Sequence, residues 1–329
     1  MSKDVNGLLT KRILESIPDK KKQIKYLMDS LNISRESVYR RIRGCIPFTS
    51  DEVFKLARKL NFSVDEIIET DISGGDYRSA LQQKDMPFSQ EHYFSNLLEH
   101  YRILELLEKA EKVDMMVSVN RLVPSFFTGF DKLFRFNYYT WMHQCGGLPP
   151  NYAFSKVELP SSIISIQYKI KSKISSVKGI TFIFDRYVIM RLIRDIQCYN
   201  NRKLISEAEL SELRSEIALL IEQFEKYLQT GLDGSSSACL FYLSLLDVNM
   251  NSIYGSYDGN IISLQMPHID IPAKINKAEI TEIHRNWIHS LKRNSILISQ
   301  SNEIVQASFL NQQRENIDEI TNDLLLYYG

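Results

Sequence analysis

Between Lys20 and Arg43 the chain gathers eight basic residues (Lys20, Lys21, Lys22, Lys25, Arg35, Arg40, Arg41 and Arg43) against two acidic ones, Asp29 and Glu36. That local excess of six positive charges, eight less two, suits a polyanion, because each base can neutralise a phosphate. The rest of the molecule offers nothing similar. Lys+Arg and Asp+Glu balance at 40 each over 329 residues, and residues 1–70 hold 14 bases and 10 acids. The remaining 26 bases and 30 acids leave residues 71–329 at −4. Affinity for a polyanion is therefore expected of the N-terminal fifth alone.

Other residue types that carry chemistry are placed less tellingly. His143 and Cys145 stand two apart, with no third group set to orient an imidazole, which argues against a nucleophilic pair. His284 and His289 are five apart, whereas two zinc ligands on one helix stand four apart with a glutamate after the first. Cys45, Cys145, Cys198 and Cys239 show none of the short spacings that hold zinc, so reduced thiols are expected. The glycine-containing stretches SGG (73–75) and GSYDG (255–259) lack both the spacing and the lysine of a nucleotide-binding loop. No catalytic residue, metal or cofactor is assigned, and the chain is read as a non-enzyme.

The basic cluster needs elements to present it. Residues 8–17 read as a helix with Leu9, Ile13 and Ile17 on one face, stopped by Pro18. Asp19 is then the expected cap of a second helix, 20–31, in which Ile24, Leu27, Met28 and Leu31 recur at helical spacing. Asn32 accepts a left-handed turn better than most residues, and Ser34 caps a third helix, 35–43, that ends at Gly44. Val38 and Ile42 lie one turn apart and face inward, which leaves Glu36, Tyr39, Arg40 and Arg43 towards solvent. Two capping boxes follow: Thr49 with Glu52 opens a helix over 51–60, and Ser63 with Glu66 opens a fifth over 64–69.

The order, spacing and apolar positions of LNISRESVYRRIRG, followed by IPFTSDEVFKLARKLNFSVDEII, resemble the Xre/Cro-type helix-turn-helix domain of phage and bacterial repressors. The likeness covers residues 8–69, about a fifth of the chain. Asn32 replaces the usual turn glycine, Met28 stands where a small residue is common, and Arg41 with Ile42 shifts the last apolar contact by one. The resemblance implies that the third helix enters the major groove of double-stranded DNA, with Arg35, Glu36 and Arg40 where the family reads base edges. It implies backbone-phosphate contacts for Ser37, Tyr39 and Arg43, and for Lys20, Lys21, Lys22 and Lys25 at the start of the preceding helix. A single such domain reads few base pairs, so a homodimer is expected.

Residues 71–88 read as a linker. Beyond it, a long helix is expected over 90–112, a strand over 113–119, and an aromatic-rich run over 126–141 that holds eight aromatics in 16 residues. Residues 162–170 alternate in part and read as a strand, and 180–196 pass from strand-like to helix-like patterning. Ser206 caps a helix over 207–229. The segments SACLFYLSLLDVNM and NIISLQMPHI bracket the 255–259 loop as the strands of a hairpin, and a last helix is expected around 311–326. The C-terminal half, including WIHSLKRNSILIS, resembles uncharacterised regulators of the Bacteroidota.

The expected fold class is α+β: an all-α five-helix domain over 1–70, a linker over 71–88, and a larger α+β domain with antiparallel strands over 89–329 for dimerisation or ligand sensing. The expected function is sequence-specific DNA-binding transcription regulation. The competing reading is a protein-interaction module or scaffold in which the helix-turn-helix contacts a protein. The aromatic run admits an unidentified small-molecule effector as a further partner. No window approaches 18 consecutive apolar residues and the N-terminus has no signal-peptide pattern, so no membrane partner and a cytoplasmic location are expected.

Overall fold

The computed structural model describes residues 5–17, 19, 22–60, 62, 90–231, 239–266, 272–275, 277–318 and 320. The chain divides into two compact units, residues 1–84 and 85–329. The fifth helix expected over 64–69, its capping box and the 71–88 linker lie outside the described residues.

In the smaller unit, apolar residues at helical spacing build four described helices, α1 (Val5–Glu15), α2 (Gln23–Leu31), α3 (Arg35–Ile42) and α4 (Ser50–Leu60). They close on one core in which Ile13, Leu27, Val38 and Leu56 are almost fully buried. α2 begins later than its sequence suggests. The helix opens on Lys22, whose side chain makes no capping bond, and the Asp19 carbonyl accepts from the Lys22 and Gln23 N–H groups. The Gln23 side-chain amide turns back to the Leu14 and Ile17 carbonyls, which ties the end of α1 to the start of α2. At the other end Asn32 takes the left-handed conformation, φ 55° and ψ 47°, that closes α2. Two residues later the Ser34 hydroxyl accepts from the Ser37 N–H and starts α3. The Thr49–Glu52 capping box forms as expected at α4, with bonds of 2.9 and 3.3 Å.

The larger unit is α+β, built on a seven-stranded mixed sheet. Its strands are β1 (Val113–Val119), β2 (Ile180–Phe184), β3 (Cys239–Ser244), β4 (Asn251–Tyr257), β5 (Asn260–Met266), β6 (Ala273–Lys274) and β7 (Ser295–Leu297), in the order β6-β5-β4-β1-β2-β3-β7. Three neighbouring strands, β1, β2 and β3, run parallel, and antiparallel pairs flank them on both sides. Parallel neighbours need crossovers, and helices supply them. Between β1 and β2 run α6 (Pro124–Phe127), α7 (Asp131–Gln144) and α8 (Ser161–Ile174); between β2 and β3 run α9 (Val188–Asn201) and α10 (Glu207–Thr230). The order is completed by α5 (Gln90–Lys109) ahead of β1, and by α11 (Ala278–Arg293) and α12 (Glu303–Asp318) on either side of β7.

Every residue of β2 is buried, which is what a central strand covered on both faces requires. Its side chains alternate accordingly. Phe182 and Phe184 join the main core, where Phe182 faces Phe241 of β3 across the ladder at 5.3 Å and Phe184 meets Phe224 of α10 at 5.0 Å. Ile183 and Met116 point the other way, into a smaller cluster with Ile288 and Leu291 of α11.

Three expectations for this unit change. Residues 162–170 form part of α8, not a strand, because Ile163, Ile166, Gln167 and Ile170 are buried at spacings of three, four and seven. The hairpin partner of β5 is β4, and β3 pairs in parallel with β2 instead. The Asp258-Gly259 pair, at φ 45° and 81°, is a two-residue turn of the type that suits a twisted hairpin. The last helix begins at Glu303, earlier than expected, after a turn in which Gln300 and Asn302 both have positive φ. No helix among the described residues is long and apolar enough to cross a membrane.

Candidate nucleic-acid interface

Val38, 1% exposed, anchors α3 to the core and so decides which residues the helix presents outward. Arg35, Glu36, Arg40 and Arg43 are exposed, and Ser37 and Tyr39 are half-buried between them. The Tyr39 ring lies between two guanidinium groups, 5.8 Å from that of Arg35 and 5.7 Å from that of Arg43. Cation–π contact holds both long side chains against the helix, which lowers the entropy lost when they meet an acceptor. Arg40 and Glu36 form no side-chain hydrogen bond or ion pair among the described residues, so their polar groups are open to a partner.

Arg41 belongs to the basic cluster by sequence and leaves it in the structure. Its guanidinium grips the Glu52 carboxylate through two bonds of 2.9 Å, and both side chains are 13% exposed. Burial raises the affinity of Glu52 for a proton, yet Arg41 and Thr49 outweigh burial and hold the carboxyl below its ordinary value. The pair locks α3 to α4 and withdraws one positive charge from the surface.

On α2, Lys25 is exposed, while Lys22, at the cap, forms a solvent-exposed pair with Asp19 at 3.3 Å. Ser37 accepts a hydrogen bond from the Ser34 hydroxyl, which leaves its own proton to donate. Lys20 and Lys21 lie outside the described residues. The structure thus gathers Arg35, Glu36, Ser37, Tyr39 and Arg40 on one short helix, with Arg43 at its C-cap.

The larger unit holds a cavity lined in part by the aromatic run over 126–141, where the sequence admits a small-molecule partner, and in part by residues that the sequence did not single out. It measures about 290 Å³ and lies at the carboxyl end of β1, where crevices occur in sheets with parallel strands. Its floor is apolar, with Phe127, Phe136 and Trp141 nearly buried, and Arg121, Gln144 and Asn249 stand exposed at its rim. Asn137, Thr140, Trp141 and Gln144 of α7 line it at intervals of three, four and seven residues, so one side of the aromatic helix faces the cavity. The turn after β1 is held firmly. The Asn251 side chain accepts from the Asn120 and Arg121 N–H groups at 2.8 and 3.1 Å and donates to the Arg121 carbonyl at 2.9 Å. Arg191 donates to the Asn120 carbonyl and to Asp185, whose carboxylate also takes the Tyr187 and Val248 N–H groups. On the cavity wall Arg121 pairs with Asp195, whose carboxyl burial pushes up against the pull of that arginine.

His143 and His284 each hold hydrogen bonds within the fold. His143 Nε2 bonds the Pro150 carbonyl at 3.1 Å, and burial pushes the Cys145 thiol up to about 11. His284 sits in a buried polar chain between the sheet and α11. Ser118 donates to the Met250 carbonyl, so Ser118 accepts from Ser252; Ser252 in turn accepts from His284 Nε2–H at 3.0 Å, and His284 Nδ1 accepts from Ser263 at 2.8 Å. That direction fixes the Nε2–H tautomer, and burial lowers the affinity of His284 for a second proton. No group of three or more His, Cys, Asp or Glu residues able to hold a metal occurs among the described residues. No family model, curated protein or solved structure matches the chain.

Proposed function

We propose that the chain is a sequence-specific DNA-binding transcription regulator of the Xre/Cro type, acting in the cytoplasm as a homodimer. The observation that carries this reading is the outward face of α3, where Arg35, Glu36 and Arg40 stand exposed on a helix capped by Ser34 and braced by the Arg41–Glu52 pair. Arginine can bond guanine O6 and N7 together, and glutamate accepts from cytosine N4, so this face carries both signs of base-edge recognition. Ser37, Tyr39 and Arg43 flank it for phosphate contact, as do Lys20, Lys21, Lys22 and Lys25 at and before the start of α2. The larger unit supplies dimerisation and the sensing of a small molecule.

The test is fluorescence anisotropy of the full chain on a selected site and on a scrambled one. Arg40→Ala is expected to lose about 1–3 kcal/mol on the selected site alone, whereas Lys25→Ala weakens both sites alike. Equal losses on both sites for Arg40→Ala would refute its role in base reading. Light scattering should find a dimer, and a monomer at micromolar concentration with and without DNA would overturn that part.

A second reading, in which this unit docks on a protein, is favoured by Phe54 of α4, whose side chain is 63% exposed. Salt separates the two. Binding to several phosphates must weaken steeply as salt rises, while an apolar contact through Phe54 must not.

A further inference from the structure

We propose that the cavity at the carboxyl end of β1 binds a small uncharged sugar, a single pyranose or furanose ring. The inference rests on the sensing role given above to the larger unit, and names the class of ligand it takes. Volume sets the first limit: about 290 Å³ lies at the small end of ligand pockets, which fits one ring.

Charge sets the second. Among the described residues, Arg121 and Asp195 are the only ionisable ones that line the cavity, and they pair with each other, so the described wall carries no net charge for an anion or a cation to answer. A phosphate or carboxylate would have to compete with Asp195 for the one guanidinium.

The polar groups set the third. Four primary amides line the cavity, Asn120, Asn137, Gln144 and Asn249, and they come from three separate parts of the chain: the turn after β1, helix α7 and the segment before β4. Each amide presents a donor and an acceptor side by side, which matches neighbouring hydroxyls that each donate and accept. The Asn120 and Asn249 side chains make no hydrogen bond among the described residues, and Asn137 uses only its oxygen, to accept from Tyr93 at 2.8 Å. Thr140 donates to the Asn137 carbonyl and keeps its lone pairs for a ligand. Groups spread around the wall suit hydroxyls spread around a ring; a nucleobase would need them along one edge. The apolar floor of Phe127, Phe136 and Trp141 suits the C–H face of such a ring. Preorganisation supports the assignment, because the turn bearing Asn120 is already held by Asn251 and Arg191 and loses little freedom on binding.

The experiment is isothermal titration of the full chain, without DNA, against neutral hexoses and pentoses, the matching sugar phosphates and uronates, and uncharged nucleosides. At least one neutral monosaccharide is expected to bind saturably, with its charged counterpart at least about tenfold weaker. Asn120→Ala and Asn249→Ala are each expected to weaken binding by about tenfold with the thermal midpoint unchanged, as loss of one or two hydrogen bonds requires. Thr140→Val should do the same. Tighter binding of the charged sugars, binding of nucleosides alone, binding of no member of the panel, or unaltered affinity in both asparagine variants would each overturn the proposal. Because DNA is absent from the titration, sugar binding by a chain that fails to bind DNA leaves this inference standing and removes only the regulator reading.

Discussion

Acid should destabilise the larger unit through the buried side of His100. This residue of α5 is partly buried and bonds the Ser125 hydroxyl of α6, and the protein packed around its ring lowers its pKa from 6.5 to about 4. The cause is desolvation: a charged imidazolium would lose water and gain no carboxylate in return. Between pH 6.5 and 4 the unfolded chain therefore binds more protons at this site than the folded one, so stability rises with pH across that window. The contribution is complete above about 6.5 and is lost as pH falls towards 4. A difference of about 2.5 pH units corresponds to about 3 kcal/mol. Both tryptophans of the chain, Trp141 and Trp287, lie in residues 85–329, so their fluorescence follows the larger unit while the whole chain is used. Urea unfolding should be compared between the wild type and His100→Gln from pH 7.5 to pH 4. The variant loses packing at every pH but has no proton to take up, so the stability difference between the two proteins should shrink by about 3 kcal/mol on acidification, or about 1–3 M in relative midpoint. His284 titrates in both proteins and cancels. A difference that stays constant with pH, or an imidazole that titrates near 6.5 by NMR, would refute the reasoning.

Two further outcomes are expected from buried polar contacts. Glu52→Gln leaves the Arg41 guanidinium without its carboxylate and should cost about 2–3 kcal/mol, seen as a loss of roughly 30-fold or more in hydrogen-exchange protection of the α3 and α4 amides; unchanged protection would show that the pair does not brace α3. Because the Glu52 carboxyl is held below its ordinary value, the same contribution is present above that value and lost as pH falls through the folded one. Ser252→Ala leaves the His284 Nε2–H without an acceptor and should cost about 1–3 kcal/mol by tryptophan-monitored unfolding, and nitrogen–proton correlation spectra should show the Nε2–H tautomer in the wild type. A wild-type Nδ1–H tautomer would reverse the direction assigned to the serine chain.

Much of the fold could be read locally. Ser34 and Ser206 mark the starts of α3 and α10, Asn32 marks the turn before α3, and the strand over 113–119 appears within its expected bounds, because caps and turns are decided by neighbours within three or four residues. Expectations failed where a distant partner decides. The sequence reads β3 as a hairpin partner of the 260–266 strand, but pairing with β2 buries Phe241 against Phe182, a contact between residues 59 positions apart. In the stretch NSIYGSY, Gly255 and three polar residues weaken the strand pattern, yet Gly255 suits β4: a side chain there would meet the Asp114 carbonyl of β1 at 2.2 Å.

The two candidate sites differ in legibility for the same reason. The face of α3 lies on eight consecutive residues, so helical period alone turns Glu36, Tyr39 and Arg40 outward, the grouping of Arg35 with Glu36 and Arg40 is what the family resemblance implies, and only the loss of Arg41 to Glu52 required the fold. The cavity draws Asn120, Asn137, Asp195 and Asn249 from segments up to 129 residues apart, and asparagine leaves no mark on charge or hydropathy. One trace was available in advance. Along the aromatic helix the residues Asn137, Thr140 and Gln144 form a polar stripe beside the buried aromatic face, and a polar stripe on such a helix must face solvent, a buried partner or a cavity. Here the exposed rim at Gln144 and the apolar floor beneath Trp141 show that it faces the last of these.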